Sequence, residues 1–305
     1  MYNKNVNSCE GIYNNSLDVR FGKACDNDCS FCIEKSGIDS LGSIDVKAMV
    51  CSTLQSDKEE ILVLGGEPFL DVDKLHSYVM SIRPFKEKIF ITTSLPNTLD
   101  LNNKKVIDIL DNIDGLNCSV HHYNWTVNNA VLNASSKHDR IRQLSRIVKE
   151  YPNLVRVQTN LVLGILDQKE EILVFIELMK IIGVKNLKIN ELQDSTKYYA
   201  SYEKIMGIEL LSPYAFGCQT HIFHEDINIV LKRSCFLTEK SLKPSLADKD
   251  KLKQHEPNET QVLYENGFVS NGWENKVDKE PKIKIEKVES ISCHRSRISF
   301  TGGCH

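Results

Sequence analysis

Leu17-Asp18-Val19-Arg20-Phe21 and, three residues further on, Cys25-Asp26-Asn27-Asp28-Cys29-Ser30-Phe31-Cys32 decide how this 305-residue chain reads. The first five residues alternate apolar and polar, which marks a half-buried strand. The next eight set three thiols at C-x3-C-x2-C spacing in a loop made polar by Asp26, Asn27 and Asp28. Thiolates bind soft metals and iron–sulfur clusters. Three such ligands on a four-iron cube leave one iron without a protein ligand, and an open position separates a reactive metal centre from a closed structural one. With ten cysteines in the chain, independent placement would give this spacing only about 0.01 times, so it is informative.

A second motif, Gly65-Gly66-Glu67-Pro68, follows the apolar run Ile61-Leu62-Val63-Leu64. Beyond it, short apolar runs alternate with helical patterns. Strands are expected over 61–64, 88–93, 116–120, 155–163 and 187–190. Helices are expected over 46–54 with Asp45 as N-cap, 72–82 ending before Pro84, 104–110, 135–150 ending at Tyr151-Pro152, and 168–182 closed by Gly183. Six strand–helix units imply parallel pairing through right-handed crossovers. A full barrel takes eight, so the expected fold class is α/β, a partial barrel with a small C-terminal α+β extension. The expected organisation is an N-terminal extension over 1–16, a core over 17–195 and an extension over 196–305 that closes the barrel. In the last part, 227–231 and 261–264 read as strands, and Asn266-Gly267 as a hairpin turn. Ligands of such sheets bind at the carboxyl ends of the strands, where both motifs fall.

The two motifs together, with Phe31 just before the last cysteine, resemble the radical S-adenosylmethionine (SAM) superfamily from about Leu17 to Gln193. In size and strand pattern the resemblance is closest to the molybdopterin GTP cyclase and deazaguanine synthase branches. It implies an open (β/α)6 TIM-like barrel, with Cys25, Cys29 and Cys32 holding a [4Fe-4S] cluster and SAM chelating the open iron. One electron from the reduced cluster then splits a carbon–sulfur bond, giving methionine and a 5′-deoxyadenosyl radical that takes hydrogen from a substrate. Phe31, Gly65, Gly66, Glu67 and Pro68 are the implied SAM neighbours, with Glu67 and the adjacent backbone holding the methionine amino group. Thr92, Thr93 and Ser94 stand where relatives offer hydroxyls to SAM. Gln158 stands where relatives often carry Asn, Asn160 shares its face by the strand period of two, and Asn190 and Glu191 end the sixth strand.

His121 and His122, at the end of the fourth strand, are candidates for binding a phosphate or carboxylate or for moving a proton, with Trp125 as a stacking surface. Cys218, Cys235, Cys293 and Cys304 are candidate ligands of a second iron–sulfur cluster. With His294 and His305 they also suit zinc, or they are free thiols, Cys235 among them a candidate hydrogen-atom donor. A net charge of −3 disfavours a nucleic-acid partner. No run of about 20 apolar residues suggests a membrane span. The cysteine-rich chain with a polar start suggests a reducing cytoplasm.

The chain reads as an enzyme (oxidoreductase, lyase or transferase) served by a one-electron donor such as flavodoxin or ferredoxin. The expected substrate is a small, nucleotide-like molecule. The alternative is a ribosomally made peptide that is crosslinked or epimerised, which the absence of a leader-binding domain before the first strand disfavours. A non-catalytic iron–sulfur or zinc protein is the reading of another class.

Overall fold

The computed structural model describes residues 16–35, 39–135, 137–192, 198–207, 219–232 and 261–272. Six parallel strands, β1 (Ser16–Arg20), β2 (Glu60–Leu64), β3 (Lys88–Thr93), β4 (Gly115–Ser119), β5 (Val155–Leu161) and β6 (Asn186–Glu191), lie side by side in chain order. Between them run α1 (Val46–Gln55), α2 (Val72–Ile82), α3 (Lys104–Asp111), α4 (Trp125–Leu132), α5 (Arg140–Glu150) and α6 (Lys169–Ile182). Local chemistry sets these boundaries. Asp45, Asp71, Asn103 and Asp139 each accept a hydrogen bond from an exposed N–H of the first turn they cap. Gly183 closes α6 at φ +91°, a backbone region that a side chain would strain.

The strands carry two different faces. Leu17, Val19, Ile61, Val63, Ile89 and Ile91 are buried on one face and join the helices in a single core. Each such side chain contributes about 1.5–3 kcal/mol on leaving water. The alternate positions, among them Thr92, Ser119, Arg156, Gln158, Lys188 and Asn190, are half-buried. Arg156 Nε donates to Asn117 Oδ1 (2.9 Å) and Gln158 Nε2 to Ser119 Oγ (3.1 Å). The second face lines the lumen, polar on β4 to β6 and apolar at Leu62, Leu64 and Phe90 on β2 and β3, and the α/β partial barrel is the fold the sequence implies.

The described C-terminal segments extend this sheet at both edges. β7 (Gln219–His224) and β8 (Ile227–Lys232) form a hairpin whose β8 runs parallel to β6. At the other edge β9 (Gln261–Leu263) runs parallel to β1 and turns through Asn266-Gly267 into β10 (Val269–Ser270). Glu265, in that turn, makes a buried ion pair with Arg20 at the end of β1: Arg20 Nε and Nη2 reach its two carboxylate oxygens at 2.9 Å each. Ser40 Oγ and Leu41 N also donate to Glu265 (2.8 and 2.7 Å), and Arg20 lies over the Tyr264 ring.

One expected boundary is corrected and one helix is added. The helix expected over 135–150 begins only at Arg140, because Asp139 takes the N-cap and Ser135 donates through both N and Oγ to the Asp26 carbonyl instead. The helix α4 ahead of it was not expected. Asn124 caps it, and Asn133 ends it in the left-handed region at φ 45°.

Candidate active site

The loop that follows β1 is pinned from several sides. Asp28 N and Cys29 Sγ both donate to the Leu132 carbonyl at the end of α4 (2.9 and 3.5 Å). Lys35 pairs with Asp28 at 2.6 Å, and Cys32 N donates to the Cys29 carbonyl. The missed helix α4 is thus part of the frame that shapes the cysteine loop.

The Gly-Gly-Glu-Pro turn packs directly on this loop. Gly66 N donates to the Gly22 carbonyl (3.0 Å) and Glu67 N to the Ala24 carbonyl (2.8 Å). A Cβ on Gly65 would stand 2.7 Å from Gly22 O, and one on Gly66 2.1 Å from Ala24 O. These glycines admit the neighbouring backbone, which the motif alone did not reveal. Pro68 then opens a 3-10 turn over Pro68–Asp71.

Glu67 is 3% exposed. Its Oε1 accepts from Phe69 N (3.2 Å) and Thr93 Oγ1 (2.8 Å), and its Oε2 from Ser94 N and Oγ (2.7 Å each). All four donors are neutral. Burial raises the carboxyl above the usual range, and these hydrogen bonds only partly offset it. Asn27 Nδ2 donates to Ser94 Oγ (2.6 Å), so cysteine loop, Gly-Gly-Glu-Pro turn and β3 end form one network. Leu95, next in the chain, is buried with φ 62°, a strained backbone for that residue.

His121 and His122 are both buried. Burial pushes His121 down to about 4, so it is neutral at physiological pH. Its Nδ1 accepts from Asn160 N (3.1 Å), which leaves the proton on Nε2, and its ring meets Phe31 edge-on at 5.2 Å. His122 stacks on Tyr123 and accepts from Asn124 N; burial lowers it too. Two neutral imidazoles suit hydrogen bonding better than charge pairing with an anion. Asn190 Nδ2 donates to Thr159 O and Asn160 Oδ1. Glu191 faces elsewhere: its carboxylate accepts from Tyr199 OH and Tyr202 N, tying down the segment that leads into α7 (Tyr202–Met206). Cys218, Cys235, Cys293 and Cys304, with His294 and His305, lie outside the described residues.

The residue that sequence reasoning missed is Arg140, wholly buried at the start of α5. Its period-of-four spacing from Leu144, on the apolar face of that helix, is the signal that could have found it.

The three thiols are the only donor set in this loop that suits a soft metal. Burial pushes Cys25 up to about 11 and Cys29 to about 12, and raises Cys32 as well. Iron must therefore displace protons to bind them. Three thiols and no other soft donor on one loop are the donor set that a [4Fe-4S] cluster takes, so the residues present fit such a cluster with one iron left open. Among the described residues, no helix is long and apolar enough to cross a membrane.

No curated protein sequence matches this chain. The fold is similar to that of SuiB from Streptococcus suis bound to precursor peptide SuiA, with a TM-score of 0.57 at 14% identity over 88% of this chain and 63% of SuiB. SuiB bound to S-adenosylmethionine gives 0.56 at 13% identity, over 85% and 60%. The chain thus spans less than two thirds of SuiB's length. The sequence profile of the Radical SAM superfamily matches residues 19–179, a span that runs from the end of β1 through the cysteine loop and the Gly-Gly-Glu-Pro turn to the last turn of α6. That is more than half of the chain, which therefore belongs to the radical SAM superfamily of enzymes.

Proposed function

We propose that Cys25, Cys29 and Cys32 hold a [4Fe-4S] cluster with SAM at its open iron, and that the enzyme removes hydrogen from a small polar molecule, nucleotide-like in character, held in the lumen. When bound and reduced, the cluster would supply the one electron that splits a carbon–sulfur bond of SAM into methionine and a 5′-deoxyadenosyl radical. The observation that carries this reading is the pair of hydrogen bonds from Gly66 N to Gly22 O and from Glu67 N to Ala24 O. They bring a three-thiol loop and a buried carboxylate whose hydrogen-bond donors are all neutral to one corner of the sheet.

The chain's own residues divide the work. Gly65 and Gly66 keep the two loops in contact. Glu67, raised by burial and surrounded by neutral donors, favours a nearby ammonium such as the SAM methionine amino group. Phe31 and Ser94 complete that wall, and Pro68 fixes the turn. Further along the strand ends, Gln158, Asn160 and Asn190 offer amides to SAM or substrate, and His121 offers a neutral Nε2–H. His122 is the second candidate there. The polar side of the lumen, on β4 to β6, supports a substrate that takes hydrogen bonds. A peptide substrate is the second reading, favoured by the likeness to SuiB in complex with its precursor peptide. We assign the electron to a flavodoxin- or ferredoxin-type donor and the enzyme to the cytoplasm, on its thiol-rich composition.

Anaerobic protein reconstituted with iron and sulfide and reduced with dithionite should cleave SAM to 5′-deoxyadenosine even without substrate. Cys29→Ala should lose both the product and the cluster; product formation surviving that change would contradict the reading. Stimulation by nucleotides over short peptides supports the first substrate class, and the reverse supports the second. About four irons per chain mean one cluster, and about eight mean that Cys218, Cys235, Cys293 and Cys304 hold another.

A further inference from the structure

One guanidinium ties the cysteine loop to the rest of the site. Arg140 Nε donates to the Ser94 carbonyl at 2.9 Å. Its Nη1 donates to Asn129 Oδ1 on α4. Its Nη2 donates to Asp26 Oδ2 (3.1 Å) and Asn27 Oδ1 (3.2 Å), the two residues that follow Cys25. Four segments thus meet on one rigid fork: the strained turn after β3, α4, α5 and the cysteine loop. The other oxygen of Asp26, Oδ1, is buried and has no hydrogen-bond partner among the described residues. The positive charge therefore faces a carboxylate bound through one oxygen only among those residues. The field of Arg140 also reaches Cys25, Cys29 and Glu67.

We propose that Arg140 and Asp26 form a charge pair that positions the cysteine loop and sets the potential at which its cluster is reduced. This inference rests on the reading that the loop holds a cluster. Reduction adds one negative charge to the cluster. A buried cation stabilises the reduced form, a buried anion opposes it, and at low dielectric both act over several ångströms. As a pair they nearly cancel, so removing either one exposes the other.

The test is a redox titration of the reconstituted protein with dithionite, followed by paramagnetic resonance of the reduced cluster. The proteins are wild type, Arg140→Gln, Asp26→Asn and the double variant. Arg140→Gln leaves Asp26 uncompensated and should shift the midpoint potential to more negative values. Asp26→Asn leaves Arg140 uncompensated and should shift it the other way. The double variant should return towards wild type. A residue that merely held the loop would move both single variants in the same direction, or neither, and either result overturns the proposal. If Arg140→Gln does not fold, Asp26→Asn still decides: a full cluster at an unshifted potential overturns it, and a shift to less negative values supports it. A wild-type protein that takes up no iron–sulfur cluster at all would overturn the cluster reading itself, and this inference with it.

Discussion

Glu67 and Glu265 are both buried glutamates whose carboxylates accept several hydrogen bonds, and both lock a turn onto the N-terminal strand region. Their surroundings differ in one respect. Glu265 faces the Arg20 guanidinium, whereas every donor to Glu67 is neutral. Burial would raise Glu265, but hydrogen bonds from its own backbone, Ser40, Leu41 and Arg20 outweigh it and hold the carboxyl below the usual range. At Glu67 burial wins and the carboxyl is raised. The clamp that completes the sheet edge is closed by a hydrogen-bonded cation, while the carboxylate at the site has only neutral hydrogen-bond donors, with Arg140 acting on it through its field. A ligand ammonium would add a charged donor there.

Breaking the closed clamp has the largest expected effect. Glu265→Gln breaks the buried bidentate ion pair with Arg20, which should cost about 3–5 kcal/mol in denaturant unfolding. The contact between the two loops comes next. Gly66→Ala sets a methyl 2.1 Å from a backbone oxygen that cannot move aside alone. It should cost about 1–3 kcal/mol and reduce iron uptake on reconstitution. Gly164→Ala sharpens the contrast: at φ +82° with no atom within 4 Å, it should cost only about 1 kcal/mol of backbone strain and leave iron uptake intact.

The smallest effect is a difference in slope with pH. Glu265 titrates below its unfolded value, about 4.3, so its stabilisation is complete above that pH and is lost as pH falls through the folded value. Glu67 titrates above its unfolded value, so its stabilisation is complete below about pH 4.3 and is lost as pH rises through the folded value. The destabilisation caused by Glu265→Gln should therefore shrink on acidification, and that caused by Glu67→Gln should grow. Parallel slopes in urea unfolding from pH 3 to 7 would contradict the comparison.

Much of the parallel sheet could be read from the chain because each element carries its own signal. The strand expected over 88–93 and the helix expected over 72–82, stopped before Pro84, match β3 and α2 residue for residue. What the sequence hid depends on distant partners. In α4, Asn128 and Asn129 sit inside a helix of eight residues, where local preference favours a loop. The helix is held because Asn128 Oδ1 accepts from His121 N, Asn129 takes Arg140, and its last turn receives the cysteine loop. The pairing of β9 with β1 joins residues more than 240 positions apart, which no local pattern reports. At the site, the cysteines and the Gly-Gly-Glu-Pro turn were visible as motifs. Arg140 and Asp26 were not, because a charged residue on a helix or in a loop looks solvent-facing until the fold buries it.

The most direct measurement is paramagnetic resonance of the anaerobically reconstituted, reduced protein with and without SAM. A [4Fe-4S] signal that SAM alters is expected, since one iron is open to it. A cluster signal indifferent to SAM, or protein that binds zinc and no iron, would contradict the account.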